Sequence, residues 1–247
     1  MFKIKINFLT YILIFLLLYS GYKNILIIVF IVFFFHEVGH IFFCIFFHVK
    51  ITSLEIYPFG GFLKINNCIN YSVVKSLFIA SGGLLFQVIL YVINYYFIKN
   101  KLLTYYNEII FITNIIPIVP FDGNRIIQIF LSNYMSYYFS LVISYFVSVL
   151  TTLLVILYFY ESHSFNYFYL IFSITYLFKE ISNLKVLFNS FLLERYLYDF
   201  SFKKRKNHKY FSFNKMHINK YNYFYVNGWK NEQYFLRKRF DKSSEFC

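Results

Sequence analysis

The chain carries His36-Glu37-Val38-Gly39-His40 inside an apolar run, with eleven apolar residues before it (Ile25 to Phe35) and seven after it (Ile41 to Phe47). No other stretch constrains the fold as much. A run of this length reads as a membrane-spanning helix. A carboxylate near its middle costs roughly 2.5–3.5 kcal/mol on insertion scales, so Glu37 needs protein or a watery cavity around it. Residues four apart share a helix face, so His36 and His40 can each turn a ring nitrogen to one tetrahedral metal ion. Glu37 beside them can take a proton from water, whose pKa zinc lowers to about 7. Two plainer readings stay open on these residues alone: a chance match, which ordinarily falls on a solvated face, and a buried polar knot without metal.

Composition supports the membrane setting. Of 247 residues 59% are hydrophobic and 14% charged, with mean hydropathy +0.55, against roughly 25% charged in an ordinary soluble domain. Cys44, Cys68 and Cys247 are scattered, which suggests neither a disulfide framework nor a thiolate metal site.

In chain order, Lys3 and Lys5 precede an apolar segment from about Phe8 to Tyr19, read as a retained first helix because no small-residue cleavage site follows. The second helix, about Ile25 to Phe47, carries the motif. Ile51 to Ile65 changes period and reads as a hairpin around a Gly60-Gly61 turn. Such a hairpin either pairs with an extended peptide or simply connects two helices. A third helix runs from about Ser76 to Ile98, with Ser81-Gly82-Gly83 as small packing residues. A fourth begins near Leu102 and is ended by Pro117 and Pro120, since proline removes backbone donors. Broken backbone at membrane depth must be buried in protein or line a cavity, and here it delivers Asp122. An acid in that position is a functional candidate. It is the obvious third metal ligand; a helix-capping role paired with Arg125 is the structural alternative. Two more helices, about Tyr137 to Tyr160 and about Phe165 to Phe178, bring the expected number of spans to six.

The motifs His36-Glu37-Val38-Gly39-His40, Tyr57-Pro58-Phe59-Gly60-Gly61, Asn114 to Gly123 and Phe191 to Tyr196 together resemble the site-2 protease family of intramembrane zinc metalloproteases. The likeness is to its short bacterial branch of the stage IV sporulation FB type. The resemblance implies that His36, His40 and Asp122 hold Zn2+ and that Glu37 is the general base. It also implies that Pro117, Pro120, Phe59 and Gly60 contribute to holding substrate, and that Asn114 helps to hold substrate or the developing oxyanion. The implied substrate is a membrane-tethered precursor of a sporulation sigma factor, restrained by inhibitory membrane partners. The implied location is the mother-cell membrane around the forespore. The family pattern continues with glycine where Asn124 stands; asparagine takes left-handed backbone readily, so a turn is expected there.

The whole is an all-α polytopic membrane protein with a short membrane-associated β-hairpin, its protease domain spanning 1–180. Residues 181–247 form a basic cytoplasmic tail, in which no complete CBS domain is evident and no secondary structure is assigned beyond the Phe191 motif. The distribution of Lys and Arg beside the spans puts both termini and the cleavage site on the cytoplasmic side. Lys203-Lys204-Arg205-Lys206 is expected to contact anionic lipid headgroups, and direct nucleic-acid binding is not expected. The competing functions are a polytopic membrane protein that binds metal or relays protons for transport, and an inactive protease-like scaffold.

Overall fold

The computed structural model describes residues 3–57, 60–65, 70–161, 184–198 and 200–241. The chain divides into two units, one made of Met1–Asn66 and Leu77–Ile116, the other of Asn67–Ser76 and Pro117–Cys247.

The first unit holds β1 (Lys3–Ile6), α1 (Phe8–Tyr19), α2 (Lys23–Phe46), β2 (Ile51–Tyr57), β3 (Gly60–Ile65), most of α3 (Val73–Ile93) and α4 (Lys101–Ile115). On α2 the usual distribution is inverted. Its polar side chains His36, Glu37 and His40 are buried with Val32, Gly39 and Cys44, whereas Phe30, Phe34, Ile45 and Phe46 face outward. Water selects against such a surface; a lipid environment selects for it. Val32 of α2, Leu90 of α3 and Leu103 of α4 form the small apolar core behind this face. After α3 the helix loosens into a π-helical turn over Asn94–Ile98 and closes at Lys99, in left-handed backbone with φ 56°. Asn100 then starts α4 by accepting from the backbone N–H groups of Leu102 and Leu103 at 3.0 and 3.2 Å, the usual work of an N-cap side chain.

Membrane crossing needs about 30 Å of apolar helix. Among the described residues, three helical stretches are long and apolar enough for it, Lys23–Phe46, Val73–Ile98 and Tyr137–Tyr158, and the chain is accordingly a membrane protein. The six spans expected from the sequence are not all of that kind. α1 has 12 residues and stops before Gly21, whose φ is 79°, and α4 has 15 before the prolines end it; at 1.5 Å rise per residue these are about 18 and 22 Å long. The sixth, about Phe165 to Phe178, lies outside the described residues.

The stretch after α2 pairs as a sheet of order β1-β2-β3, β1 parallel and β3 antiparallel to β2. Two expectations change here. Lys3 and Lys5 belong to a strand rather than to a charged flank of α1, with Lys5 opposite Glu55 and its Nζ 4.0 Å from that carboxylate. Gly60 and Gly61 do not form the turn: they lie in β3, opposite Tyr57 and Ile56.

The second unit holds α5 (Asp122–Tyr134), α6 (Tyr137–Glu161), α7 (184–197), β4 (Lys204–His208), β5 (Lys220–Tyr225), β6 (Trp229–Asn231) and α8 (Glu232–Phe240). The basic tail is therefore folded. β4 runs parallel and β6 antiparallel to the central β5, and the sheet packs with α8 and α7 on the first turns of α6 through Tyr137, Leu141, Phe191, Leu192, Met216, Phe224 and Leu236. Beneath it lies an ion pair at 3.1 Å between Arg195 and Glu232, both almost fully buried. Asn222 joins that pair by donating its side-chain amide to Glu232 at 2.6 Å.

Candidate active site

His36, Glu37 and His40 are 5%, 5% and 9% exposed on α2. α3 runs past them in the opposite direction, so that His40 meets Ile79, Gly39 meets Gly82, and His36 meets Gln87. The crossing is close because neither glycine has a side chain. A Cβ on Gly82 would stand 2.6 Å from the Gly39 carbonyl oxygen, and one on Gly39 would run into the Gly82 carbonyl. One turn away, a Cβ on Gly83 would enter the His36 ring.

The ring nitrogens are oriented by α3. Nδ1 of His40 lies 2.8 Å from the Ile79 carbonyl oxygen, which can only accept, so that nitrogen carries the proton and Nε2 keeps a lone pair. Nδ1 of His36 lies 3.1 Å from Gln87 Oε1, with the same consequence. The two Nε2 atoms face each other at 3.2 Å. Two lone pairs at that separation repel, and a cation between them converts the repulsion into two bonds. Zinc–nitrogen bonds of about 2.0–2.1 Å at the tetrahedral angle put their nitrogens about 3.3–3.4 Å apart. The histidine pair thus fits a zinc ion without rearrangement. Glu37 is closed over by the sheet: Gly61 of β3 lies against its carboxyl group, where a Cβ would stand 2.6 Å from Cδ and 2.7 Å from Oε1.

Asp122 belongs to the second unit. There α6 holds the broken segment that precedes it. The Val119 N–H donates to Ser148 Oγ at 2.9 Å and Thr151 Oγ1 donates to the Pro117 carbonyl at 3.1 Å, while Ile118 and Val119 are buried. The Val119–Pro120 peptide is cis. Asp122 then opens α5, where a negative charge is favoured by the unpaired N–H groups of the first turn. The turn expected at Asn124 is absent: that residue is buried in the first turn of α5 and has ordinary helical backbone.

No family model and no curated protein matches the sequence. Among solved structures, the fold is similar to that of the site-2 protease from Methanocaldococcus jannaschii. The likeness covers 71% of this chain and 87% of that one, at 25% identity and a TM-score of 0.51.

The remaining candidate residues are placed as follows. Asn114 is in the last turn of α4, its side-chain amide donating to the Ile110 carbonyl at 2.9 Å. Pro117 and Pro120 lie in the segment held by α6, Gly60 opens β3 opposite Tyr57, and Phe59 falls outside the described residues. Sequence reasoning missed Gln87, Ile79, Ser148 and Thr151. Gln87 had a legible signal, being the one amide side chain in α3 and standing one helical turn from Gly83, on the same face. Ile79 had none, since it acts through its backbone.

Proposed function

We propose that this chain is an intramembrane zinc metalloprotease that cleaves a membrane-tethered protein near the cytoplasmic face. His36, His40 and Asp122 are the proposed ligands and Glu37 the general base. The observation that carries this reading is the pair of Nε2 atoms 3.2 Å apart, each proton held on the far nitrogen, next to a buried carboxylate. One further observation supports it: the fold is similar to a site-2 protease.

Zn2+ held there supplies a Lewis acid that polarises the scissile carbonyl and acidifies water. The chain's own residues do the rest. Glu37 accepts a proton as the water oxygen adds to the carbonyl carbon, then returns it to the leaving nitrogen as the C–N bond breaks. Burial under β3 keeps bulk water from the carboxylate, so its proton traffic is confined to the reacting groups. Asn114 is proposed to hold substrate by its side-chain amide.

The first substrate to try is a sporulation sigma-factor precursor, on the strength of the sequence resemblance. Wild type and Glu37→Gln are co-expressed with the tagged precursor in a host lacking both, and the purified proteins are assayed for metal. Cleavage by wild type alone, with zinc in both, is the expected result. Absence of zinc from the wild type overturns the reading; zinc without cleavage redirects the search to other membrane-tethered proteins.

A further inference from the structure

The sheet of the second unit has a rim that its own core does not use. β4 and β5 run parallel with His208 opposite Phe224, so Lys209 and Tyr210 leave the sheet at the end where β5 reaches Tyr225. There Val226-Asn227-Gly228 turns the chain back into β6, with Asn227 and Gly228 at φ 50° and 114°. Tyr225 pairs with Trp229, their rings 5.6 Å apart. Tyr210, Tyr225, Val226 and Trp229 are 62%, 52%, 39% and 55% exposed. Between 200 and 241 the chain has eleven Lys and Arg but only two acids, Glu232 and Asp241. Glu232 is buried against Arg195 and Asp241 accepts from the Tyr196 hydroxyl, so the field at the rim is positive. Exposed Tyr and Trp beside lysine is the residue combination favoured at a lipid headgroup boundary. The fold also places this sheet at such a boundary. It is tied to the start of a membrane-crossing helix, with Tyr137 N–H donating to the Met216 carbonyl at 3.0 Å and Ser136 Oγ to the Asn214 carbonyl at 2.6 Å.

We propose that the rim formed by Lys209, Tyr210, Tyr225, Val226 and Trp229 docks on the surface of an anionic bilayer. The proposal rests on the chain being a membrane protein, and stands whether or not it cuts peptides. Basic residues near such a surface contribute about 1 kcal/mol each, and the contribution fades as salt screens it.

Trp229 is the only tryptophan in the chain, so its emission reports on this rim alone. The full-length protein is placed in nanodiscs of phosphatidylcholine, with or without phosphatidylglycerol, and with lipids brominated near the headgroup. Blue-shifted emission and several-fold stronger quenching in the anionic discs, reversed by salt and by the exposed double change Lys209→Glu with Tyr225→Ser, is the expected result. The salt reversal is read on the wild type, so the proposal stays testable if the variant misfolds. Emission that remains red and open to acrylamide in both discs overturns it, as does equal quenching in both. A shift produced by single-stranded oligonucleotide but not by anionic lipid also overturns it, and makes the rim a nucleic-acid surface.

Discussion

Gly61 of β3 touches the carboxyl group of Glu37, and the contact leaves no room for a methyl group: a Cβ at 61 would stand 2.6 Å from Glu37 Cδ. The atoms in the way are the far end of a flexible side chain, so Gly61→Ala moves the carboxylate rather than the backbone. We expect cleavage to fall about 100-fold, as a displacement of about 1 Å in a reacting group commonly costs. Zinc content and melting temperature should stay near wild type. A variant that cleaves normally would show that the carboxylate's position against β3 is immaterial.

Gln87 fixes His36 by accepting at Nδ1. Partners of this kind are worth roughly 10–100-fold in metal affinity. Gln87→Leu should therefore lose zinc to a chelator at 10–100-fold lower concentration than wild type, while Gln87→Glu, still an acceptor, should hold it. Equal retention in all three proteins would remove Gln87 from the site.

The Arg195–Glu232 pair tests the folded tail. Both residues are almost wholly buried, and the Phe202 ring lies 4.4 Å from the guanidinium. Burial holds the Glu232 carboxyl above its ordinary range, against the opposing pull of Arg195 and Asn222. Arg195→Met leaves that carboxyl without its counter-charge, at a cost of about 3–5 kcal/mol. Adding Glu232→Gln should recover most of the loss in denaturant unfolding followed by Trp229 fluorescence. Failure of the double variant to recover would mean that Arg195 acts through packing alone.

His217 gives the tail a pH dependence with a definite sign. It is 7% exposed, and burial, then Lys220, Lys206 and His208, lower its pKa from 6.5 to about 4. A group depressed in the fold contributes stability above its unfolded pKa and loses it as pH falls towards the folded value. The full shift corresponds to about 3 kcal/mol, nearer 1–2 kcal/mol once screening by nearby solvent is allowed for. The protection of β5 amides, measured as exchange relative to the intrinsic rate at each pH, should fall between pH 6.5 and 4, and His217→Gln should flatten that change. An unchanged pH profile in the variant would assign the effect to another group.

The buried polar face of α2 was legible because a bilayer makes polar residues conspicuous: His36, Glu37 and His40 stand out against eighteen flanking apolar residues. The prolines and Asp122 were legible for the same reason. What holds them was harder to see. Gly61 and Gly83 are small because of the side chains opposite them, and that is a tertiary fact; Gly-Gly in a strand and Gly-Gly in a turn look alike in sequence. The tail was illegible for another reason. β4 is a run of polar residues, Lys204 to His208, and β5 carries tyrosine at 221, 223 and 225 on the face opposite its buried Asn222 and Phe224, so the apolar-in, polar-out alternation that announces a strand is absent from both. Its one sharp signal, Asn227-Gly228, was overlooked. α1 and α4 have the bounds expected of them, and at 12 and 15 residues both fall short of a straight span across the bilayer.

The Gly39–Gly82 contact makes the crossing of α2 and α3 a fulcrum. His40 and His36 lie one and three residues from it, and Gln87 five residues from it on the other helix. At 1.5 Å per residue, a rocking of about 5° between the helices moves these groups by about 0.7 Å or less, while the far end of α2 swings by about 2 Å. Bilayers thicken and thin around a protein, and their helices tilt to follow. Side chains gathered at the pivot keep their spacing while the ends of the helices move.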